Sequence, residues 1–291
     1  MSGRRASVAL AVVLTGCCRA APPSQFPSAD DALDRMRASY ACSRGVQGEA
    51  KLDYFGKEGR VRGNVLYLAA LPDQLRFDVF SPFGAIISTL TSDGRDFALY
   101  DLRNKQFLHG PASTCNVARF TQVPVPPFAL AQLLRGEAPV LVHSREQSSI
   151  EWSCGKYVIH LDSTRDAHEE LHLEPLVADW DRPWQEQRVR VREVAVSQKG
   201  TELYRAVLDG HAPARTAGPL VDPDGLDPDV PPSGPACTAE IPRRIRLEVP
   251  GTEQDLILID EEVAHNPPLI EGAFRQSPPP GVSVAEARCT D

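Results

Sequence analysis

Short runs of alternating apolar and polar residues, each stopped by glycine, proline, aspartate or asparagine, dominate this chain from Gly45 onward. Side chains on a strand point alternately to its two faces, so a period of two demands extended structure rather than helix. Arg60 to Leu68 is the strongest case, with Val61, Gly63, Val65 and Tyr67 on one face. Gln74 to Phe80 repeats it through Leu75, Phe77 and Val79. Gly45 to Tyr54, Ile86 to Thr91, Phe97 to Tyr100 and Gln106 to His109 read the same way, separated by turns at Gly56 to Gly59, Ser92-Asp93-Gly94 and Asp101 to Lys105. Closely spaced strands joined by tight turns make an antiparallel meander.

Strands resume after the proline cluster Pro124 to Pro127. They are expected at Val140 to Val142, Ser149 to Cys154, Tyr157 to Leu161, Glu170 to Leu173, Gln187 to Val196, Glu202 to Leu208, Arg243 to Val249 and Asp255 to Glu262. The strict alternation Arg188-Val189-Arg190-Val191-Arg192, flanked by Glu186 and Glu193, is a solvated strand face rather than a basic patch. Two helices are expected. One runs from about Ala29 to Ser39, with Ser28 as N-cap, Asp30 and Asp31 in its first turn and Leu33, Met36 and Tyr40 along one face. The other is short, from Phe128 through Leu130 to Leu134, with proline at its start and Gly136 at its end. Asp209 to Ala239 is rich in Pro, Gly and Asp and has little to bury, so it reads as a long loop tied at Cys237. Strands far outnumber helices, which predicts a mainly β domain with some α over residues 28–291: one large curved antiparallel sheet, an unclosed β-barrel, covered by a few helices.

The N-terminus gives an address. Arg4 and Arg5 precede the apolar run Val8 to Leu14, followed by Leu14-Thr15-Gly16-Cys17. The run is too short for a bilayer, which takes about 20 residues, and has the layout of an export signal. The small residue before Cys17 resembles a lipoprotein signal. That implies removal of residues 1–16, a diacylglycerol on the Cys17 thiol and acylation of the new terminus. Residues 17–27 then form a lipidated tether of at most about 36–40 Å at 3.3–3.6 Å per residue. Loss of the two arginines moves the net charge from −8 to −10. So acidic a chain is a poor partner for nucleic acid and has no broad electrostatic grip on anionic lipid. Membrane attachment rests on the acyl chains, at about 0.8 kcal/mol per buried methylene.

Six of the seven cysteines remain for disulfides once Cys17 is lipidated. Cys115 with Cys154 and Cys237 with Cys289 are the expected pairs. Sequence leaves connectivity open: Cys42 can displace one partner, and Cys18 can stay free beside the anchor. There is no C-x-x-C pair to suggest a metal. His168-Glu169-Glu170-Leu171-His172 matches H-E-x-x-H literally, which on a helix would make a zinc peptidase site. Pro175 would stop that helix at once, and Leu171 and Leu173 alternate as in a strand. On a strand, His168 and His172 lie roughly 13 Å apart, too far for one zinc. The acids Asp222, Asp224 and Asp227 lack the closing glutamate of a calcium loop. No G-x-S-x-G or glycine-rich phosphate loop is present. No catalytic residue, metal or cofactor is expected.

The run Arg76 to Gly84, then Ile87-Ser88-Thr89-Leu90, Ser92-Asp93-Gly94, Phe97 to Tyr100 and Phe107 to Gly110, resembles the lipoprotein-localisation family in order as well as in kind. So do Pro124 to Gly136, Pro242 to Ile245 and Asn266-Pro267-Pro268 ahead of Phe274 and Pro280-Gly281-Val282. Members of that family are a periplasmic lipoprotein carrier and an outer-membrane lipoprotein receptor. The resemblance spans roughly residues 28–284 and fits an uncharacterised lipoprotein branch better than the receptor itself. It implies an unclosed barrel with a helical lid over an apolar cavity that holds acyl chains of lipoproteins or lipids. Phe77, Val79, Ile87, Leu99 and Phe107 would line the sheet side, with Phe128, Leu130 and Leu134 above. Phe83 would be the exposed apolar residue of a membrane-insertion loop. A periplasmic carrier protein would be a partner. Cys18, standing where an aspartate would favour retention at the inner membrane, implies the inner leaflet of the outer membrane. The alternative is an envelope structural or sensor lipoprotein using the same fold for protein contacts.

Overall fold

A computed structural model describes residues 18–57, 59–81, 83–121 and 123–289. Cys17 and the export signal lie outside the described residues. In chain order the elements are α1 (Ala29–Tyr40), β1 (Gly45–Gly56), β2 (Gly59–Ala70), β3 (Gln74–Phe80), β4 (Ile86–Ser92), β5 (Asp96–Asp101), β6 (Gln106–Pro111), α2 (Thr114–Thr121) and α3 (Pro127–Leu134). Then follow β7 (Ser148–Ser153), β8 (Lys156–Asp162), β9 (Ala167–Pro175), β10 (Val189–Gln198), β11 (Thr201–Asp209), β12 (Ala212–Pro213), β13 (Arg215–Thr216), β14 (Glu240–Ile241), β15 (Arg244–Val249), β16 (Gln254–His265) and β17 (Ser283–Glu286).

Fifteen strands form one unclosed sheet, ordered β17-β6-β5-β4-β3-β2-β1-β16-β15-β11-β10-β9-β8-β7, with β13 pairing β16 off this path. The mainly β architecture with a few covering helices is as the sequence predicts. Neighbours are antiparallel except at the short pairings β13–β16 and β17–β6. The predicted meander, β1 to β6, and a second one, β7 to β11, are joined at the centre by β16, which pairs β1 over Val46–Phe55 and β15 on its other side. Val140 to Val142, expected as a strand, has no regular structure. The Leu141 amide donates to the Glu169 carboxylate (2.7 Å) instead of to a ladder.

Helices α1 and α3 cover one face. Ser28 caps α1, its hydroxyl accepting from the Asp31 amide at 3.2 Å. Leu33 and Met36 of α1 and Leu130, Leu133 and Leu134 of α3 are buried with Val65, Tyr67, Phe77, Leu90 and Phe97 of the sheet in one core. Gly48 allows a close approach here. A Cβ at this position would lie 2.5 Å from the Tyr67 ring, which crosses β1 to donate its hydroxyl to Asp260 (3.0 Å).

The corner where α1 ends and β1 begins is held by buried polar groups. Arg135, 1% exposed, donates to the carbonyls of Ser43 (2.6 Å) and Tyr40 (3.3 Å) and pairs with Glu137 (3.0 Å). It thereby satisfies carbonyls that the end of α1 leaves open. Asn266, fully buried, accepts from the Arg44 and Gly45 amides and donates to the carbonyls of Cys42 and Pro235. Its φ of 52° is left-handed, a region asparagine tolerates better than most side chains. His265 bridges the Ser43 hydroxyl (3.0 Å) and the Ala239 carbonyl (2.8 Å). The carbonyl needs a donor, so Nε2 carries the proton and Nδ1 accepts from Ser43.

The disulfides are Cys18–Cys154, Cys42–Cys237 and Cys115–Cys289. This corrects the expected Cys115–Cys154 and Cys237–Cys289 pairs. The N-terminal segment packs on the β7–β8 turn through Phe26, Tyr157 and Trp184 and brings Cys18 there. Strand β17 beside β6 delivers Cys289 to α2. Nor is the segment from Cys18 to Pro27 an extended tether, for Phe26 is buried and Ser24 accepts from the Trp184 amide. The long 209–239 loop is also held at more points than Cys237: β13 pairs β16, and Leu220 bridges Val230.

Asn266→Ala leaves several buried amides and carbonyls unpaired, at about 1–3 kcal/mol each. We expect a loss of at least about 3 kcal/mol in urea unfolding under oxidising conditions, against less than about 0.5 kcal/mol for Asn104→Ala in the exposed β5–β6 turn.

Candidate functional site

Strand register decides which expected lining residues can share a cavity. Phe77 pairs with Leu90, and Leu90 with Leu99, so Phe77, Val79 and Leu99 lie on the helix-covered face. Ile87 and Phe107 do not. Asp78 pairs with Thr89, two residues from Ile87, and Tyr100 pairs with Phe107, which places both on the opposite face. Periodicity within each strand was legible, but the relative phase of two strands depends on the turns that join them. Phe77 is 3% exposed, and Leu130 and Leu134 are as deeply buried. They fill the interior rather than line a void. Phe128, on the outer side of α3, is 47% exposed.

Open space on the helix-covered face lies farther along, between β5–β6 and α2. This cleft has a volume of about 560 Å³ and is lined by Leu99, Leu108, Ala118, Pro124 and Cys115, with Asp101, Gln106 and Arg119 as its polar members. Of the expected lining residues, only Leu99 borders it. Helix α2 was missed in the sequence, because Thr114-Cys115-Asn116 are indifferent helix formers. It is held by tertiary bonds instead. The Asn116 amide donates to the carbonyls of Pro111 (2.9 Å) and Ala287 (3.2 Å), and Cys115 is joined to Cys289. The Arg119 guanidinium is steadied by Asn116 and the Arg288 carbonyl.

The opposite face of β2–β6 carries a strap, residues 267–282. Gln276 donates to the Thr89 and Ala98 carbonyls, Arg76 to the Ala273 carbonyl, and Arg275 pairs with Asp93. Ala273 and Phe274 pack with Leu68 and Ala70 beneath it. A second space of about 440 Å³ remains between strap and sheet, beside Phe107 and His109.

Phe83 is 95% exposed at the tip of the β3–β4 hairpin, where the Ser81 hydroxyl accepts from the Phe83 and Ala85 amides. Phe55, Val61 and Leu102, at the same ends of the strands, are each more than a third exposed.

The H-E-x-x-H residues fall on β9. Glu169 points inward, 2% exposed, while His168 and His172 point outward to Asp162 and Glu170. The two imidazoles and the carboxylate therefore face opposite ways, and this is not the zinc peptidase arrangement. Among the described residues, no group of three or more His, Cys, Asp or Glu is placed to hold a metal ion. Burial pushes the Glu169 carboxyl up to about 8, against the opposing pull of the Leu141 amide. Burial likewise raises Asp260 to about 7, opposed by the Tyr67 hydroxyl and Arg243. Both acids are shifted toward their neutral forms inside the domain, burial being the larger cause in each.

No protein-family model and no curated protein matches the chain. Solved structures do. A LolA superfamily protein from Nitrosomonas europaea superposes with a TM-score of 0.52 at 12% identity, over 86% of this chain and 99% of that one. A DUF1329 family protein from Desulfovibrio piger superposes with a TM-score of 0.53 at 9% identity, over 86% and 98%. At such identities the likeness shows the fold: this chain has the architecture of the LolA superfamily structure.

The raised Glu169 makes a pH prediction. Its folded form holds a proton that the unfolded form releases above about 4.5, so its stabilising contribution is full below that pH and is lost as pH rises through about 8. Glu169→Gln should therefore be more stable than the natural protein at pH 8.5, by more than about 1 kcal/mol at 1.4 kcal/mol per pH unit, and nearly equal to it at pH 4.5. Urea unfolding at the two pH values measures this. A Gln variant that is less stable at pH 8.5 contradicts a buried neutral Glu169.

Proposed function

We propose that this protein is an envelope lipoprotein that binds acyl chains of lipoproteins or phospholipids in the cleft between β5–β6 and α2. The observation that carries this reading is the cleft itself, a trough of about 560 Å³ with Leu99, Leu108, Ala118 and Pro124 along it and Asp101, Gln106 and Arg119 as its polar members. Ligand sites of 300–1,000 Å³ with apolar walls and a few polar groups are the usual size for small molecules. An acyl chain gains about 0.8 kcal/mol for each methylene it removes from water, so six methylenes contribute about 5 kcal/mol before ordering costs. Arg119 in its lining offers a guanidinium to a carboxylate or phosphate headgroup. No covalent step and no cofactor is required.

Three features support the setting. The export signal ends in Leu-x-Gly-Cys, so Cys17 would be the lipidated residue. The six remaining cysteines are all paired, as an oxidising compartment allows. The fold is that of a LolA superfamily structure. We therefore place the protein on the inner leaflet of the outer membrane, facing the periplasm, with insertion or transfer of lipoproteins as its role and a periplasmic carrier as a partner. Phe83, at an exposed tip, is an apolar contact for a carrier protein or for its lipoprotein cargo. The packed interior around Leu134 is what favours the alternative, a scaffold or sensor that meets proteins through the same fold.

A fluorescent polyene fatty acid separates the two readings. Ala118→Trp fills the cleft from α2 and should weaken binding at least tenfold with unchanged circular dichroism, whereas Leu226→Arg on the exposed 209–239 loop should leave it unchanged. Equal binding by the Ala118→Trp protein removes the cleft as the site. No binding by the natural protein favours the scaffold.

A further inference from the structure

The chain has three tryptophans, and all of them gather around the stretch that follows Cys17. Trp152 donates its indole N–H to the Arg19 carbonyl (3.0 Å), and the Arg19 guanidinium lies 3.5 Å from the centre of the Trp180 ring. Trp152 and Trp180 pack edge to face at 5.6 Å. Trp184 packs against Phe26 at 6.0 Å. All three rings are half-buried, and Val177, one helical turn before Trp180, is 66% exposed. Cys18 is bonded to Cys154 in the β7–β8 turn at the same place.

We propose that this tryptophan face is seated on the bilayer that holds the anchor, at the depth of the lipid headgroups. The inference rests on the reading of Cys17 as the lipidated residue. Its force is geometric. Cys17 is one peptide from Cys18, and consecutive Cα atoms are 3.8 Å apart. Cys18 is bonded to the sheet, so Cys17 stands one peptide and one disulfide bridge (Cα–Cα 4.4 Å) from the β7–β8 turn, and a membrane that holds it lies beside that turn. A free tether of about 36–40 Å would have let the domain present any surface. The bonded one selects a single face.

The chemistry of that face fits the same occupant. Indole is an apolar ring with one N–H donor, and tryptophans collect where hydrocarbon meets water. Arg19 adds a positive charge beside them, which meets lipid phosphates without needing the whole acidic protein to be attracted. The orientation also follows for the rest of the molecule. The β7–β8 turn and the β3–β4 tip with Phe83 lie at opposite ends of the strands in the register of the sheet. Seating the first leaves the second for cargo or a carrier.

The tryptophans report on this face directly. The full chain, made with its export signal, is reconstituted into phosphatidylethanolamine–phosphatidylcholine vesicles carrying nitroxide lipids. We expect headgroup-labelled nitroxide to quench at least a third of the emission, and a nitroxide deep in the acyl chain to quench less. The extra emission of a Phe83→Trp variant should stay unquenched. The mass of the N-terminal peptide reads the anchor separately. Acylated, vesicle-bound protein with unquenched native tryptophans, or with only the added Trp quenched, overturns the proposed face and leaves the anchor standing. A peptide without acyl mass overturns the anchor reading and the face with it.

Discussion

Asn266 and its buried neighbours fix the position of nearly everything else. One side chain joins the end of α1, the first amides of β1, the last turn of β16 and the loop that carries Cys237. Arg135 closes the same corner from α3, and His265 ties in Ser43. Unpaired polar groups in such a place would each cost about 1–3 kcal/mol, so the cluster is stable only when complete. That completeness is what places α1 and α3 together over the sheet and registers β1 against β16. The two strand meanders meet at this pair. Without it they would be two sheets with no fixed relation.

Sheet coverage follows from that placement. Helices α1 and α3 cover one face so fully that Phe77, Leu130 and Leu134 are buried in packed interior. Space survives toward β5 and β6, where only the short helix α2 roofs the sheet and is itself held by Asn116 and Cys115. The opposite face carries the strap, whose Gln276 and Arg275 bond to strand carbonyls and to Asp93, with about 440 Å³ of space left beneath it. The acyl-chain reading depends on this uneven filling, with a solid centre for stability and a trough at one margin for cargo.

The sequence made the strands and the two stronger helices legible, because alternation and capping are local signals. Ser28 caps α1 and Gln74 to Phe80 is β3 as the spacing predicts. What it concealed was phase and long-range pairing. Ile87 and Phe107 belong to apolar runs like those of Phe77 and Leu99, yet the register set by the turns puts them on the other face. The cysteine connectivity depends on where the terminal segments lie, which no local pattern encodes. Helix α2 and the cleft it makes exist through Asn116 and the Cys115–Cys289 bond, so neither periodicity nor propensity marks them. Glu169 was conspicuous for its motif, and its inward direction on β9 gives it a different meaning, a neutral acid in an apolar interior.

The most direct test of the central claim is a crystal structure with a fatty acid brominated along its chain, read from the anomalous signal of bromine. Bromine peaks are expected between Leu99 and Leu108 of the sheet and Ala118 of α2, with the headgroup toward Arg119. Peaks beneath the 267–282 strap, or none at a ligand concentration that saturates binding in solution, would contradict it.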